Sequence, residues 1–410
     1  MRLSTCIRRF QAAGSAALLA VLALIATGSG SPAQDRELKI GIIGPFSGTA
    51  AGAAQQVLDG LMLGVDAADG KVGGLKTTVI REDDQLKPDV GLQAANKLIE
   101  RDKVDVIVGP HYSHVMNAAY RTMVDSKTIV LSAVAGPSLI AGKQCSPYFF
   151  ATSFQNDEAF EVLGLYLNEK GYKRAYLMAP NYPAGKDNMT GFKRTFKGGI
   201  AGEVYTGLSQ LDFAAEIAQI KSANPDVVTI FYPSTFGINF HKQYGQSGLL
   251  KELPLYSAFS LEEIALPAIG DVAVGTYQAA TWNFDSPGEV NKKFVADFTK
   301  KYNYRPTFIS AYSYDAAQLL HAALLEVKGN LADKPALIAA IEKASFTSVR
   351  GKFKFNTNHF PIQDYILLEV VKTDEGKLIQ VTRGTMQRDY SQDAKAVGPE
   401  YLTRLAQLAR

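Results

Sequence analysis

The chain has 410 residues, 47% of them hydrophobic and 20% charged, with 43 lysines and arginines against 40 acids. So balanced a charge excludes nucleic acid or a polybasic membrane surface as the natural partner. The length exceeds what one core fills and predicts two domains of ordinary size.

The first element is a secretory-signal pattern over 1–33. Arg2, Arg8 and Arg9 precede an apolar run over 16–26, and small residues follow to Ser31-Pro32-Ala33. The run is too short to span a bilayer, and the small residues read as a cleavage site. Cleavage after Ala33 removes those arginines and no acid, leaving basic and acidic residues equal in number. It also removes Cys6, so Cys145 is left as a lone thiol and an intramolecular disulfide is excluded. Cys6 precedes the apolar run and is therefore no lipid-attachment site. No other segment approaches span length, and a soluble, exported protein is expected.

Strand 38–43 leads into the loop Gly44-Pro45-Phe46-Ser47-Gly48, then helix 56–68 with Val57, Leu61, Leu63 and Val65 on its apolar face. Gly70, Gly73 and Gly74 turn the chain into strand 77–81. The rest of the chain is organised around the stretch 83–110. Pro88 sits in a first helical turn, and Val90, Ala94, Ala95, Leu98 and Ile99 recur at helical spacing opposite Lys97, Glu100 and Arg101. The apolar run 104–108 reads as a parallel strand buried on both faces. Gly109-Pro110-His111-Tyr112-Ser113 then turns into helix 115–126, followed by strand 128–131 and a small-residue loop, 132–138.

The pattern restarts around 148–156. Helix 158–170, strand 174–178, loop 179–185, helix 186–196, strand 203–208 and helix 213–222 come next. Strand 226–231, loop 232–235, helix 236–247, strand 255–257, loop 258–260 and strand 275–280 complete a second unit. Helices are predicted over 289–302, 310–327 and 334–344, and late strands over 351–355 and 365–371. Beyond Gln387 the tail is polar, ending in an amphipathic piece over 401–408. The alternation of strand and helix predicts an α/β fold with parallel sheets and right-handed crossovers.

Several catalytic signals fail on inspection. The segment from Gly136 to Gln144 has one residue too many for a P-loop, and glutamine where a serine or threonine must hold the metal. His111 and His114 have metal-pair spacing but no third ligand nearby. Ser47 between Gly44 and Gly48 lacks the spacing of a nucleophile elbow. Glu82, Asp83 and Asp84 read as a solvated loop before a helix. No metal, cofactor or catalytic group is expected, and a secreted hydrolase is the weaker alternative.

A binding site is better supported. Loops at the predicted strand ends combine small or hydroxyl residues with aromatics. They are Phe46-Ser47, Tyr112-Ser113, Ala133 with Ala135 and Gly136, Tyr182 with Ala184, Tyr232 with Ser234, and Phe259-Ser260. Small residues expose backbone N–H groups, and Ser113 at a helix N-terminus suits a carboxylate. Aromatics supply apolar surface for the body of a small molecule.

Gly44-Pro45-x-Ser47-Gly48, Gly60, Gly73-Gly74, Asp83-Asp84-Gln85 with Pro88, 94–99 and Val106-Ile107-Val108-Gly109-Pro110 together form a specific pattern. Tyr182-x-x-Gly185, Gly191-Phe192 and 302–315 extend it over nearly the whole mature chain. In these residues the sequence resembles the periplasmic solute-binding proteins of ABC importers, in the leucine/isoleucine/valine-binding branch. The resemblance implies a type I periplasmic-binding fold: two Rossmann-like lobes with parallel-sheet cores, joined by three hinge crossovers. The lobes would be 37–154 with 284–361 and 155–283 with 362–386, leaving 387–410 as a tail. The crossovers fall near 153–156, 282–285 and 360–364. It further implies a monomer that hands its ligand transiently to an inner-membrane permease.

By the same resemblance, Ser113 and the loop 133–135 would hold a ligand carboxylate. The family's hydroxyl residue in that loop is Ala135 here, and the acid that receives an ammonium is replaced by Phe259-Ser260. Glu262 and Glu263, a turn away, read as helix-capping acids. A buried ammonium without a counter-charge costs on the order of several kcal/mol. The expected ligand is therefore a carboxylate lacking an amine, of benzoate or cinnamate type, with a branched-chain or other amino acid as the alternative.

Overall fold

The computed structural model describes residues 36–391. The signal pattern and the piece over 401–408 lie outside the described residues. Two sheets organise the chain. The first is built from β1 (Leu38–Gly44), α1 (Ala51–Asp66), β2 (Thr77–Asp83), α2 (Pro88–Asn96), β3 (Val106–Val108), α3 (Ser113–Asp125), β4 (Ile129–Ser132), α4 (Ser138–Ala141) and β5 (Phe149–Ala151). Its five strands pair in parallel in the order β2-β1-β3-β4-β5. Every residue of β3 and β4 is buried, as strands covered by helices on both faces require.

The chain then builds a second sheet from α5 (Glu158–Glu169), β6 (Arg174–Pro180), α6 (Pro183–Thr195), β7 (Gly199–Thr206), α7 (Ala214–Ala223), β8 (Val227–Ile230), α8 (Thr235–Gln246), β9 (Leu255–Ala258), α9 (Leu266–Ile269) and β10 (Tyr277–Ala280). It returns to the first lobe as α10 (Glu289–Tyr302), α11 (Phe308–Glu326) and α12 (Lys334–Glu342). The return is sealed where α11 crosses α1. A Cβ on Gly60 would lie 2.2 Å from the Ser310 carbonyl oxygen, and one on Gly64 would lie 2.4 Å from Ala317 Cβ. Both positions need glycine because the helix backbones approach that closely. The last strands are β11 (Lys354–Phe355), β12 (Pro361–Lys372) and β13 (Leu378–Tyr390). The second sheet runs β11-β12-β10-β9-β8-β6-β7, with β13 beside β12.

Four features depart from the sequence reading. Phe149–Ala151 forms a fifth strand where only a restart of the pattern is legible. The second sheet is mixed: β12 pairs antiparallel with both β10 and β13. The strand β13 runs through 387–390, which the polar composition assigns to the tail. Its side chains are exposed or half-buried except at Gln380, and bulges interrupt its register, so no alternation marks it. The strand predicted over 351–355 shrinks to Lys354–Phe355.

Candidate ligand site between the lobes

The loops after β3 and β4 face those after β6, β8 and β9. They meet as residues at the carboxyl ends of open α/β sheets do when they form a ligand crevice. Tyr112, Tyr182 and Ser234 are the N-caps of α3, α6 and α8, and none makes a side-chain cap bond among the described residues. The first N–H groups of each helix therefore have no internal partner, and the positive ends of three helix dipoles converge on the cleft.

Asn156, in the first crossover, sets the polar end. Its Oδ1 accepts from the Gly136 N–H (3.2 Å), which fixes the amide orientation. Its Nδ2 then donates to Ser113 Oγ (3.1 Å) and to Asp187 Oδ2 (2.9 Å). Ser113 accepts that bond, so its own hydroxyl hydrogen remains for an acceptor in the cleft. His111 lies alongside, stacked on Tyr112 with centroids 5.0 Å apart. Burial pushes its pKa down to about 3, so the ring is neutral. No lysine or arginine lines this cavity among the described residues. A carboxylate here would be met by neutral donors and helix dipoles.

The walls are aromatic. Phe154 stacks on Phe259 with centroids 3.8 Å apart and planes within 8°, and Phe308 lies 5.5 Å from Phe259. Tyr182 stacks on Phe231 at 6.2 Å and tilts toward Tyr112 at the same separation. Such offset and edge contacts give a flat apolar slot. Bonds also cross the cleft. Tyr112 OH and Ser234 Oγ are 3.1 Å apart, Thr235 Oγ1 donates to the Thr49 carbonyl at 2.9 Å, and the Ser138 N–H donates to Asp187 at 3.1 Å. The inner cavity consequently keeps about 40 Å³, whereas a cavity that admits benzene measures about 150 Å³. At that volume the cavity does not admit a ring-sized ligand.

Of the residues singled out from the sequence, Tyr112, Ser113, Ala135, Tyr182, Ala184, Ser234 and Phe259 line the inner cavity. Phe46 and Ala133 line a small apolar recess behind it, together with His111. Ser260 borders an outer space, its hydroxyl accepting from the Tyr232 N–H and donating to the Ala258 carbonyl. Three residues are not brought to the cavity. Ser47 is exposed. Gly136 packs where a Cβ would lie 1.9 Å from the Phe154 carbonyl oxygen. Tyr232 turns into the second lobe's core, against Phe213 and Phe240, with its hydroxyl 3.1 Å from Thr206 Oγ1.

The reading of Glu262 as a helix cap is corrected. It stands at the N-cap of a single 3₁₀ turn and makes no cap bond. Its carboxylate instead lines the cleft and accepts from Gln56 Nε2 across the lobes at 2.6 Å. Burial raises its pKa, against the lowering effect of that bond. The premise that this part of the cleft offers no acid does not hold. Asn156, Phe154 and Phe308 are further lining residues that sequence reasoning missed. No local signal singles out Asn156, which shares its crossover with the polar Ser153, Gln155 and Asp157.

Two α/β lobes that close on a cleft at their strand ends define a solute-binding clamp. The profile of the periplasmic binding protein family matches residues 37–377, and the chain belongs to that family. Leu/Ile/Val-binding protein homolog 6 of Brucella abortus (strain 2308) is 27% identical over 370 residues, covering 87% of this chain and 93% of that protein. An ABC transporter solute-binding protein from R. palustris, solved in complex with benzoate, superimposes with a TM-score of 0.83 at 30% identity. The superposition covers 88% of this chain and 99% of that one. A solute-binding protein from Rhodopseudomonas palustris BisB5, in complex with 3,4-dihydroxybenzoic acid, gives 0.82 at 29% identity, covering 88% and 100%. The chain is thus the substrate-binding component of an ABC transporter, in a transport family rather than an enzyme family. The family is periplasmic, and among the described residues no helix is long and apolar enough to cross a membrane.

Proposed function

We propose that this protein captures a small aromatic carboxylate, of benzoate type, between its lobes and delivers it to an inner-membrane permease. One observation carries the reading: an available serine hydroxyl and uncapped helix ends face a slot walled by Tyr112, Phe154, Tyr182, Phe231, Phe259 and Phe308. In this reading Ser113 and the loop at Ala135 hold the carboxylate while the aromatic side chains hold the ring. The lobes work as a monomeric clamp hinged on the three crossovers. The ligands of the two R. palustris neighbours support the same chemistry.

Amino-acid binding is the second reading. The names of the relatives favour it. A thermal-shift panel of benzoate, 4-hydroxybenzoate, leucine and valine separates the two. Ligand at about a hundred times its Kd stabilises the fold by roughly 2.7 kcal/mol, which for a protein this large is a shift of a few degrees. Shifts with benzoates alone are expected, and Ser113→Ala should weaken benzoate binding roughly tenfold by removing a charge-assisted bond. A shift with leucine alone would replace the aromatic reading with the amino-acid one.

A further inference from the structure

Glu262 stands where two spaces meet. The inner cavity is shared with Ser113, Ala135 and Asn156. The outer space, about 390 Å³, opens beside the first turns of α1 and α8, and shares only Ser234 and Glu262 with the inner one. Ser113, Ala135 and Asn156 do not reach it, so Glu262 marks the end of the inner cavity remote from the carboxylate donors.

Its surroundings fix what it can receive. Thr307 donates its hydroxyl to Gln56 Oε1, which orients the glutamine so that its N–H points at Glu262. One carboxyl oxygen is therefore committed as an acceptor. Gln56 is its one hydrogen-bond partner among the described residues, which leaves the second oxygen to the cleft. A desolvated acceptor left without a donor is penalised more than a made bond is rewarded.

We propose that Glu262 selects for a hydrogen-bond donor at the far end of the ligand, so that the preferred solute is a ring carboxylate bearing a para hydroxyl or amino group. This rests on the aromatic-carboxylate reading above. An α-amino acid does not meet the same geometry, because its ammonium sits beside its carboxylate rather than a ring's length away.

Calorimetric titration of the purified protein with 4-hydroxybenzoate and with 4-methylbenzoate tests it. The two match in size and differ in the donor. The wild type should prefer the hydroxyl compound roughly tenfold or more. In Glu262→Leu, and independently in Glu262→Ala, the ratio should fall to about one. Equal affinities in the wild type would overturn the role of Glu262 whether or not either variant folds. So would a preference that survives in a variant with native-like melting. Failure of every benzoate to bind would instead overturn the underlying aromatic-carboxylate reading, and the two failures are thereby distinct.

Discussion

His111 shows how one buried side chain couples the cleft to pH. Its Nδ1 has no hydrogen-bond partner among the described residues, and burial alone takes its pKa from the ordinary 6.5 to about 3. The unfolded chain protonates this ring first as pH falls. Its contribution to stability is therefore intact above about pH 6.5 and is lost toward about pH 3, by at most about 1.4 kcal/mol per pH unit. Asp84, pushed up to about 7 by burial, has the opposite sign. The folded state keeps its proton longer, so its contribution is present at low pH and fades as pH rises through 7. A melting curve of the wild type alone mixes the two. The difference between wild type and His111→Asn isolates the histidine. In ligand-free protein the gap in melting temperature should narrow between about pH 7 and about pH 5. A constant gap would mean that His111 titrates as an exposed histidine does.

At the scale of elements, helical periodicity and apolar runs made most of the architecture legible, because those signals are local. Val106–Val108 is buried throughout and reads as such; α10 and α12 lie where their spacing puts them. The strand β13 was hidden because cross-strand pairing, not burial of one face, holds it. The site was legible in part. Tyr112, Ser113 and Tyr182 follow strand ends directly, whereas Glu262 is defined by Gln56, 206 positions away. Nor does local sequence announce the left-handed backbone at Ser234 (φ 56°) and Phe259 (φ 50°) that re-aims both loops. Close helix packing, by contrast, leaves a testable trace in glycine. Gly60→Ala would drive a methyl into the Ser310 carbonyl and should destabilise by about 1–3 kcal/mol, as overpacking does. Gly52, in the same helix, has nothing within 4 Å of a Cβ, and Gly52→Ala should stabilise by roughly 0.5–1 kcal/mol. A urea midpoint that rises for Gly60→Ala, as it should for Gly52→Ala, would show that α1 does not pack on α11 through Gly60.

For the whole molecule, the decisive feature is how the three crossovers are tied together. Arg350 donates to the carbonyls of Thr152 (2.6 Å) and Ser153 (3.3 Å) in the first crossover, and to Gln363 Oε1 (2.8 Å) on β12. Thr281, where the second begins, has its hydroxyl 2.6 Å from the Tyr312 hydroxyl on α11. Arg350 is paired at 3.0 Å with Asp315, also on α11, and the two side chains are 3% and 0% exposed. One buried ion pair thus ties together the segments that pass between the two sheets. Burying two charges costs about as much as their attraction returns, so the pair as a whole contributes little net stability. Removing one partner is different, because it strands the other charge. Arg350→Met should therefore destabilise the fold by about 3–5 kcal/mol, and adding Asp315→Leu should recover much of that loss. Equilibrium denaturation of the two variants beside the wild type measures both steps. A double variant as unstable as the single one would place the cost in the lost bonds to Thr152, Ser153 and Gln363. The hinge would then be held by the guanidinium's reach across the crossovers, not by its charge.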